Sequence, residues 1–226
     1  MSEPEHVRAT RESYDAVAAE YADLFRTELR EMVFGRAFLG AFAELVETAG
    51  GGPVADVGCG PGRVTAHLCA LGVDAFGVDL SPEMVALARR EHPDVRYETG
   101  RLEALDLDDG VLGGLVSWFS FIHTPPSELA GVLAEFDRVL APGGVLVLAF
   151  QVGGEPKHVG EAFGRDLDLD YQRWLPDQLA ERVEAAGFAT EARLVSEPRP
   201  GQPLPLGHLM ARKPGGGEAV GQAERG

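Results

Sequence analysis

Two short stretches hold the residues best suited to chemistry. The first, Val54-Ala55-Asp56-Val57-Gly58-Cys59-Gly60-Pro61-Gly62-Arg63, is an apolar run that passes into a turn almost bare of side chains. Glycine there lets backbone approach a ligand closely. Beyond the next apolar run, Ala75-Phe76-Gly77-Val78, stands a single acid, Asp79. A strand tip, a bare turn, a helix start and an acid on the neighbouring strand suit an adenosyl-type ligand, the acid accepting from both ribose hydroxyls. The second stretch is Ser117-Trp118-Phe119-Ser120-Phe121-Ile122-His123-Thr124-Pro125-Pro126. Trp118 and Phe119 offer an apolar wall that excludes water and orients a reactant. His123 is the candidate general base, because a neutral imidazole near neutral pH takes a proton from a hydroxyl or an amine. The same histidine equally suits a helix cap or a place packed beneath the site.

The elements that position these residues follow from periodicity. Tyr14, Val17, Ala18, Tyr21 and Phe25 make one apolar helical face, and a second helical pattern runs from Leu29 to Val46 before Gly50-Gly51-Gly52. These N-terminal helices are expected to cap the site or cover a sheet. From Pro53 the chain alternates strand and helix. Strands are expected at Val54–Val57, Val73–Val78, Val95–Glu98, Leu112–Phe119 and Val145–Phe150. Ser81-Pro82 starts one intervening helix, and Leu129 to Leu140 forms another, broken by Pro142-Gly143-Gly144. Residues 151–171 read as an inserted loop or short lid. A helix from Pro176 and two late strands, Phe188–Val195 and Leu206–Ala211, complete the pattern.

This rhythm predicts an α/β, Rossmann-like, doubly wound fold. Its sheet is mainly parallel and seven-stranded, with an antiparallel C-terminal hairpin and an N-terminal helical cap. The expected organisation is a cap over 1–50, a core over 51–212 and a disordered tail over 213–226. In such a sheet the ligand lies beyond the C-terminal strand ends.

Composition narrows the partners. At 226 residues, with 45% hydrophobic and 25% charged side chains, the chain suits one α/β domain with decorations. The N-terminus is polar and has no apolar stretch of signal-peptide type, so a cytoplasmic location is expected. Apolar runs are too short for a membrane span. Twenty basic against 36 acidic residues give a net charge of −16. That balance disfavours a nucleic-acid partner, whose phosphates need a basic face. Cys59 and Cys69 are expected as free thiols. Asp166-x-Asp168-x-Asp170 has Tyr171 where a calcium loop needs glycine, and no metal site is expected.

The spacing of the glycine turn also bears on the ligand. A dinucleotide fold would place a third glycine where Arg63 stands. The run Asp56-Val57-Gly58-Cys59-Gly60-Pro61-Gly62, followed by Gly77-Val78-Asp79-Leu80-Ser81-Pro82-Glu83-Met84 and Leu140-Ala141-Pro142-Gly143-Gly144, resembles the class I S-adenosylmethionine-dependent methyltransferases, in their small-molecule branch of actinobacterial type. The likeness covers about residues 10–212. It implies S-adenosylmethionine as cofactor and methyl transfer to a small-molecule acceptor by in-line displacement, from a monomer or a homodimer. By position, Gly58, Cys59, Gly60 and Gly62 underlie the cofactor's methionine and ribose, and Asp79 binds the ribose hydroxyls. Leu80 and Met84 flank the adenine, and Asp56 acts through water or holds the turn; Ser117, at the fourth strand tip, is expected among the cofactor-binding residues. The Gly-Asp that the family commonly places after strand three is Gly100-Arg101-Leu102-Glu103 here, which leaves Glu103 or the backbone at Leu102 to read the adenine amine. The pattern Tyr14-Asp15-x-x-Ala18-x-x-Tyr21 resembles the same class, in which a leading helix closes over the cofactor. Tyr14 then suits the cofactor and Tyr21, with Trp118 and Phe119, the acceptor, although both tyrosines also suit a core stripe; Gln151, on the 151–171 segment, suits the acceptor or a solvated loop. A nicotinamide-dependent oxidoreductase and a non-catalytic S-adenosylmethionine-binding module are the alternative readings.

Overall fold

Helices precede the first strand because residues 5–48 carry long apolar stripes at helical spacing. The computed structural model describes residues 3–199 and 202–215. It has α1 at Glu5–Leu24, α2 at Glu28–Glu31 and α3 at Val33–Thr48. The second stripe is not one helix: Met32 leaves helical geometry (φ −82°, ψ 72°) and buries its side chain, which separates α2 from α3. Phe38, Leu39, Phe42 and Val46 of α3 are buried on a core beneath the sheet. Each such side chain contributes about 1.5–3 kcal/mol. The two expected roles of the leading helices are therefore divided, with α3 on the sheet and α1 elsewhere.

The alternating region yields β1 (Val54–Val57), α4 (Arg63–Ala70), β2 (Ala75–Asp79), α5 (Pro82–Glu91), β3 (Tyr97–Thr99), β4 (Leu112–Trp118), a single 3-10 turn (Phe121–His123), α6 (Leu129–Val139) and β5 (Leu140–Gln151). Then come β6 (Lys157–Ala162), β7 (Arg165–Tyr171), α7 (Pro176–Ala185), β8 (Ala189–Ser196) and β9 (Leu206–Arg212). The seven-stranded sheet has the order β3-β2-β1-β4-β5-β9-β8. All neighbours are parallel up to β5, and β9 is antiparallel to both β5 and β8. The last strand in sequence thus lies between β5 and the edge strand β8. Connections diverge between β1 and β4, which makes their C-terminal tips the switch point.

The inner strands are buried on both faces. Ala55 and Val57 of β1 face the core shared with α6 and α7, and Val54 faces the core shared with α3 and α4. Pro142-Gly143-Gly144 does not stand outside the strand as a break, since α6 ends at Val139 and β5 runs through it. Lys213, expected in a disordered tail, is bonded there: its amide donates to the Gly144 carbonyl and its carbonyl accepts from Gly143, both at 2.9 Å. Residues 216–226 of that expected tail lie outside the described residues.

Residues 151–171 correct the sequence reading more sharply. They contain a two-stranded antiparallel sheet, β6–β7, and not a loop. The alternation Asp166-Leu167-Asp168-Leu169-Asp170 places two leucines on one face, where they are buried against Val17 of α1. Period two gives the strand, and α1 supplies the surface that makes it stable. No helix among the described residues is long and apolar enough to cross a membrane.

Candidate functional site

At the switch point lies a cavity of about 370 Å³. Its floor is the glycine turn between β1 and α4. The turn needs glycine for a steric reason at Gly58, where φ is +77° and an added Cβ would lie 2.1 Å from the Cβ of Ser120. Ser120 sits that close because its hydroxyl donates to the Val57 carbonyl at 2.6 Å and lies 2.6 Å from the Ser117 hydroxyl. The tips of β1 and β4 are thus tied together under the turn. At Gly60 an added Cβ would meet nothing within 4 Å, so bare backbone faces open space. Gly62 begins α4 from behind, packed against the Tyr97 hydroxyl, and does not line the cavity.

Asp79 ends β2 beside this turn. Its Oδ2 accepts from the Gly60 amide at 2.7 Å and its Oδ1 from the Ser81 amide at 2.8 Å. Each carboxylate oxygen retains a second lone-pair site. Burial pushes its pKa up to about 6, against the two amides that hold it down. Asp56, fully buried in β1, accepts from the Thr65 hydroxyl at 2.6 Å through one oxygen, while its Oδ1 has no partner. Burial raises that carboxyl to about 7.

The side walls come from separate elements. Leu80 and Met84 stand at the start of α5, and Leu102 and Glu103 follow β3. Glu103 has a buried Oε1 with no hydrogen-bond partner, and Arg101 lies 3.6 Å away as its ion-pair partner. On the β4 side Phe119 has φ +56°, rare for a bulky residue, and its amide is held by the Ala149 carbonyl. This turn of the backbone brings Trp118, Phe119 and Ser120 to the cavity.

The roof is α1. Tyr14 and Tyr21 line the cavity and meet edge to face, with centroids 5.5 Å apart. Asp15 pins α1 to α5 by accepting from the Ser81 hydroxyl, which itself accepts from the Met84 amide at 3.1 Å. His123, buried beside Tyr14, has Nε2 at 2.9 Å from the Tyr14 hydroxyl and Nδ1 at 2.9 Å from the Asp170 carbonyl of β7. Burial lowers its pKa to about 4, so the ring is neutral in ordinary solution.

Of the residues singled out from sequence, Tyr14, Tyr21, Asp56, Gly58, Cys59, Gly60, Asp79, Leu80, Met84, Leu102, Glu103, Trp118, Phe119 and His123 share this one cavity. Ser117 stands one layer behind, through Ser120. Gln151 is the last residue of β5, where its carbonyl accepts from the Trp174 amide at 3.2 Å, and does not line the cavity. Among residues the motifs passed over, Arg63 lies in the lining with its guanidinium 5.8 Å from the Tyr21 ring centroid, and it donates to the Phe25 carbonyl. Ser120, Thr10 and Glu128 also line it. Only Ser120 carried a sequence signal, its place at the strand-four tip. Cys59 and Cys69 are free thiols, and no metal-holding cluster occurs among the described residues.

The chain resembles known proteins along this same framework. A family model described as a methyltransferase domain matches residues 54–144. A malonyl-(acyl-carrier protein) O-methyltransferase of Pectobacterium atrosepticum is 31% identical over 66% of this chain and 63% of its own. A demethylmenaquinone methyltransferase of Chlorobaculum tepidum is 35% identical over 60% of this chain and 54% of its own. The chain thus spans between half and two thirds of these curated relatives. Among solved structures, a 1,6-didemethyltoxoflavin-N1-methyltransferase of Burkholderia thailandensis, bound to 1,6-didemethyltoxoflavin and S-adenosylhomocysteine, superposes with a TM-score of 0.73 at 25% identity. That match covers 95% of this chain and 92% of that one.

Proposed function

We propose that the chain, which resembles methyltransferases over residues 54–144 and in its fold, is a class I S-adenosylmethionine-dependent methyltransferase that binds S-adenosylmethionine across Asp56, the glycine turn and Asp79 and methylates a small-molecule acceptor. The observation that carries this reading is the pair Asp79 and Gly60. A buried carboxylate with two lone-pair sites still free stands beside bare backbone that opens on the cavity. Two vicinal hydroxyls match that carboxylate, since charge-assisted hydrogen bonds are the strong ones.

Other orphaned atoms fit the same ligand. The unpartnered Asp56 Oδ1 suits an ammonium group, directly or through water. Arg63, in the first turn of α4, suits a carboxylate. Leu80, Met84 and Leu102 offer apolar faces to an adenine, and Glu103 Oε1 can accept from its amine. The bound cofactor supplies a methyl group activated by its sulfonium. The protein then has to exclude water, align the acceptor in line and receive a proton. Trp118, Phe119, Tyr14 and Tyr21 wall the space left for the acceptor. In this reading residues 1–50 cap a core of 51–212.

A net charge of −16 favours a small molecule over nucleic acid as acceptor. A cytoplasmic place of work and a monomer or homodimer complete the proposal. Calorimetric titration with S-adenosylhomocysteine and, separately, NADPH tests it. Binding of the first and not the second is expected, and the reverse would exclude methyl transfer. Transfer of labelled methyl to a compound in the producer's extract, read by mass, separates an enzyme from a binding module.

A further inference from the structure

We infer that Tyr14, and not His123, is the group that takes the acceptor's proton, and that His123 stands behind it as the second member of a two-step relay. This rests on the methyl-transfer reading above. Donor and acceptor roles decide between the two. A backbone carbonyl can only accept, so the 2.9 Å contact between His123 Nδ1 and the Asp170 carbonyl places the ring's proton on Nδ1. The neutral ring then has one lone pair, on Nε2, and the Tyr14 hydroxyl at 2.9 Å must donate to it. An acceptor therefore finds the basic nitrogen already covered. What it can reach is the Tyr14 oxygen, which keeps two lone pairs outside that bond, with the Tyr171 hydroxyl 3.5 Å away.

The hairpin makes the arrangement deliberate in a structural sense, because β7 grips both members. The Asp168 amide donates to the Ser13 hydroxyl at 2.9 Å, beside Tyr14 in sequence, and the Gln172 amide donates to the Ile122 carbonyl at 2.7 Å, beside His123. Asp170, between those two anchors, supplies the carbonyl that sets the tautomer. The Tyr171 ring packs on His123 with centroids 4.7 Å apart. β6–β7 thus has a role that no motif marks.

During transfer, the acceptor's lone pair forms the bond to the methyl carbon while the carbon–sulfur pair departs with sulfur. The reacting atom keeps the electrons of its bond to hydrogen as that proton passes to Tyr14 Oη. Tyr14's own proton moves to His123 Nε2. The resulting imidazolium returns a proton through Tyr14 to water. A weak base suffices, since the acceptor's proton becomes strongly acidic as the new bond forms. The relay serves a hydroxyl or an N–H acceptor and gives nothing to an acceptor without a proton on the reacting atom.

The test is the tautomer. Long-range proton–nitrogen spectra of labelled protein with S-adenosylhomocysteine bound should show the His123 proton on Nδ1. Tyr14→Phe should keep that tautomer and shift the Nε2 resonance. With labelled S-adenosylmethionine and producer extract, Tyr14→Phe and His123→Gln should each slow transfer by about 100-fold or more. The double variant should be no slower than the worse single, as for residues that act as a unit. A proton on Nε2, or losses that multiply in the double variant, would overturn the relay. Calorimetry keeps the two proposals apart: a relay that fails in variants still binding S-adenosylhomocysteine leaves the methyltransferase reading intact, whereas wild-type protein that does not bind it sinks both.

Discussion

The carboxylate of Asp79 accepts the amide of Gly60 at 2.7 Å, and so the acid at the tip of β2 holds the glycine turn after β1 in place. The same side chain is both scaffold and candidate ligand contact. Its replacement should show both roles.

Asp79→Ala is expected to weaken S-adenosylhomocysteine binding by about 2 kcal/mol, roughly thirtyfold in Kd, because two charge-assisted hydrogen bonds are lost. Calorimetry measures it directly. Unchanged affinity would remove Asp79 from the site.

Affinity for the same ligand should fall with pH. Burial raises the Asp79 pKa to about 6, and hydroxyl donors favour the charged form, so binding expels a proton below that value. Kd should rise up to about tenfold per pH unit below 6. The free protein has the opposite preference: a raised carboxyl pKa means that Asp79 contributes stability on acidification through its window from 6 toward 3.8. Titrations in buffers of different ionisation enthalpy report the released proton, and none released at pH 5.5 would contradict the ribose role.

Gly58→Ala should destabilise the fold by about 2–4 kcal/mol, from overpacking and a left-handed backbone together. The added carbon meets Ser120 at 2.1 Å. In a Ser120→Gly background, which already lacks the Ser120 hydrogen bonds, Gly58→Ala should cost less than in wild type, since the colliding atoms are gone and the positive φ remains. Denaturant midpoints of the four proteins decide, and an equal or larger cost in that background would show that the contact is not the cause.

His208 is buried on β9, with its ring 4.9 Å from Trp118 and 5.6 Å from Phe38. Burial lowers its pKa from 6.5 to about 4. The unfolded chain therefore binds a proton that the folded one refuses, and this contribution to stability, full above 6.5, is lost as pH falls toward 4. His208→Leu removes it. The variant should gain on wild type by up to about 3 kcal/mol between pH 7 and pH 4, read as the change in their difference in unfolding free energy.

Much of this protein was legible because its elements repeat at fixed periods. Val54–Val57 followed by the glycine turn, and Ser81-Pro82 opening α5, are local signals that tertiary packing had no reason to override. The periodicity from Leu29 to Val46 predicts one helix, and the break at Met32 escapes it because a period does not register a single residue that leaves helical geometry. The β6–β7 hairpin is not legible along the chain because two leucines on one face look too sparse for a core until Val17 of α1 covers them. Position along the chain puts Gln151 just past the fifth strand and free to meet the acceptor, yet β5 extends through it, its carbonyl accepts from the Trp174 amide, and it does not line the cavity.

The sequence by itself determined the parallel sheet, its switch point and the acid and glycines gathered there, because those depend on strand order and on residues fixed close to one strand tip. Only the tertiary structure decided the partners of His123. Tyr14, His123 and Asp170 lie on α1, the turn after β4 and β7, and no spacing along the chain encodes a hydrogen bond among three such distant segments. That contact, through the direction of one imidazole proton, sets which atom faces the acceptor.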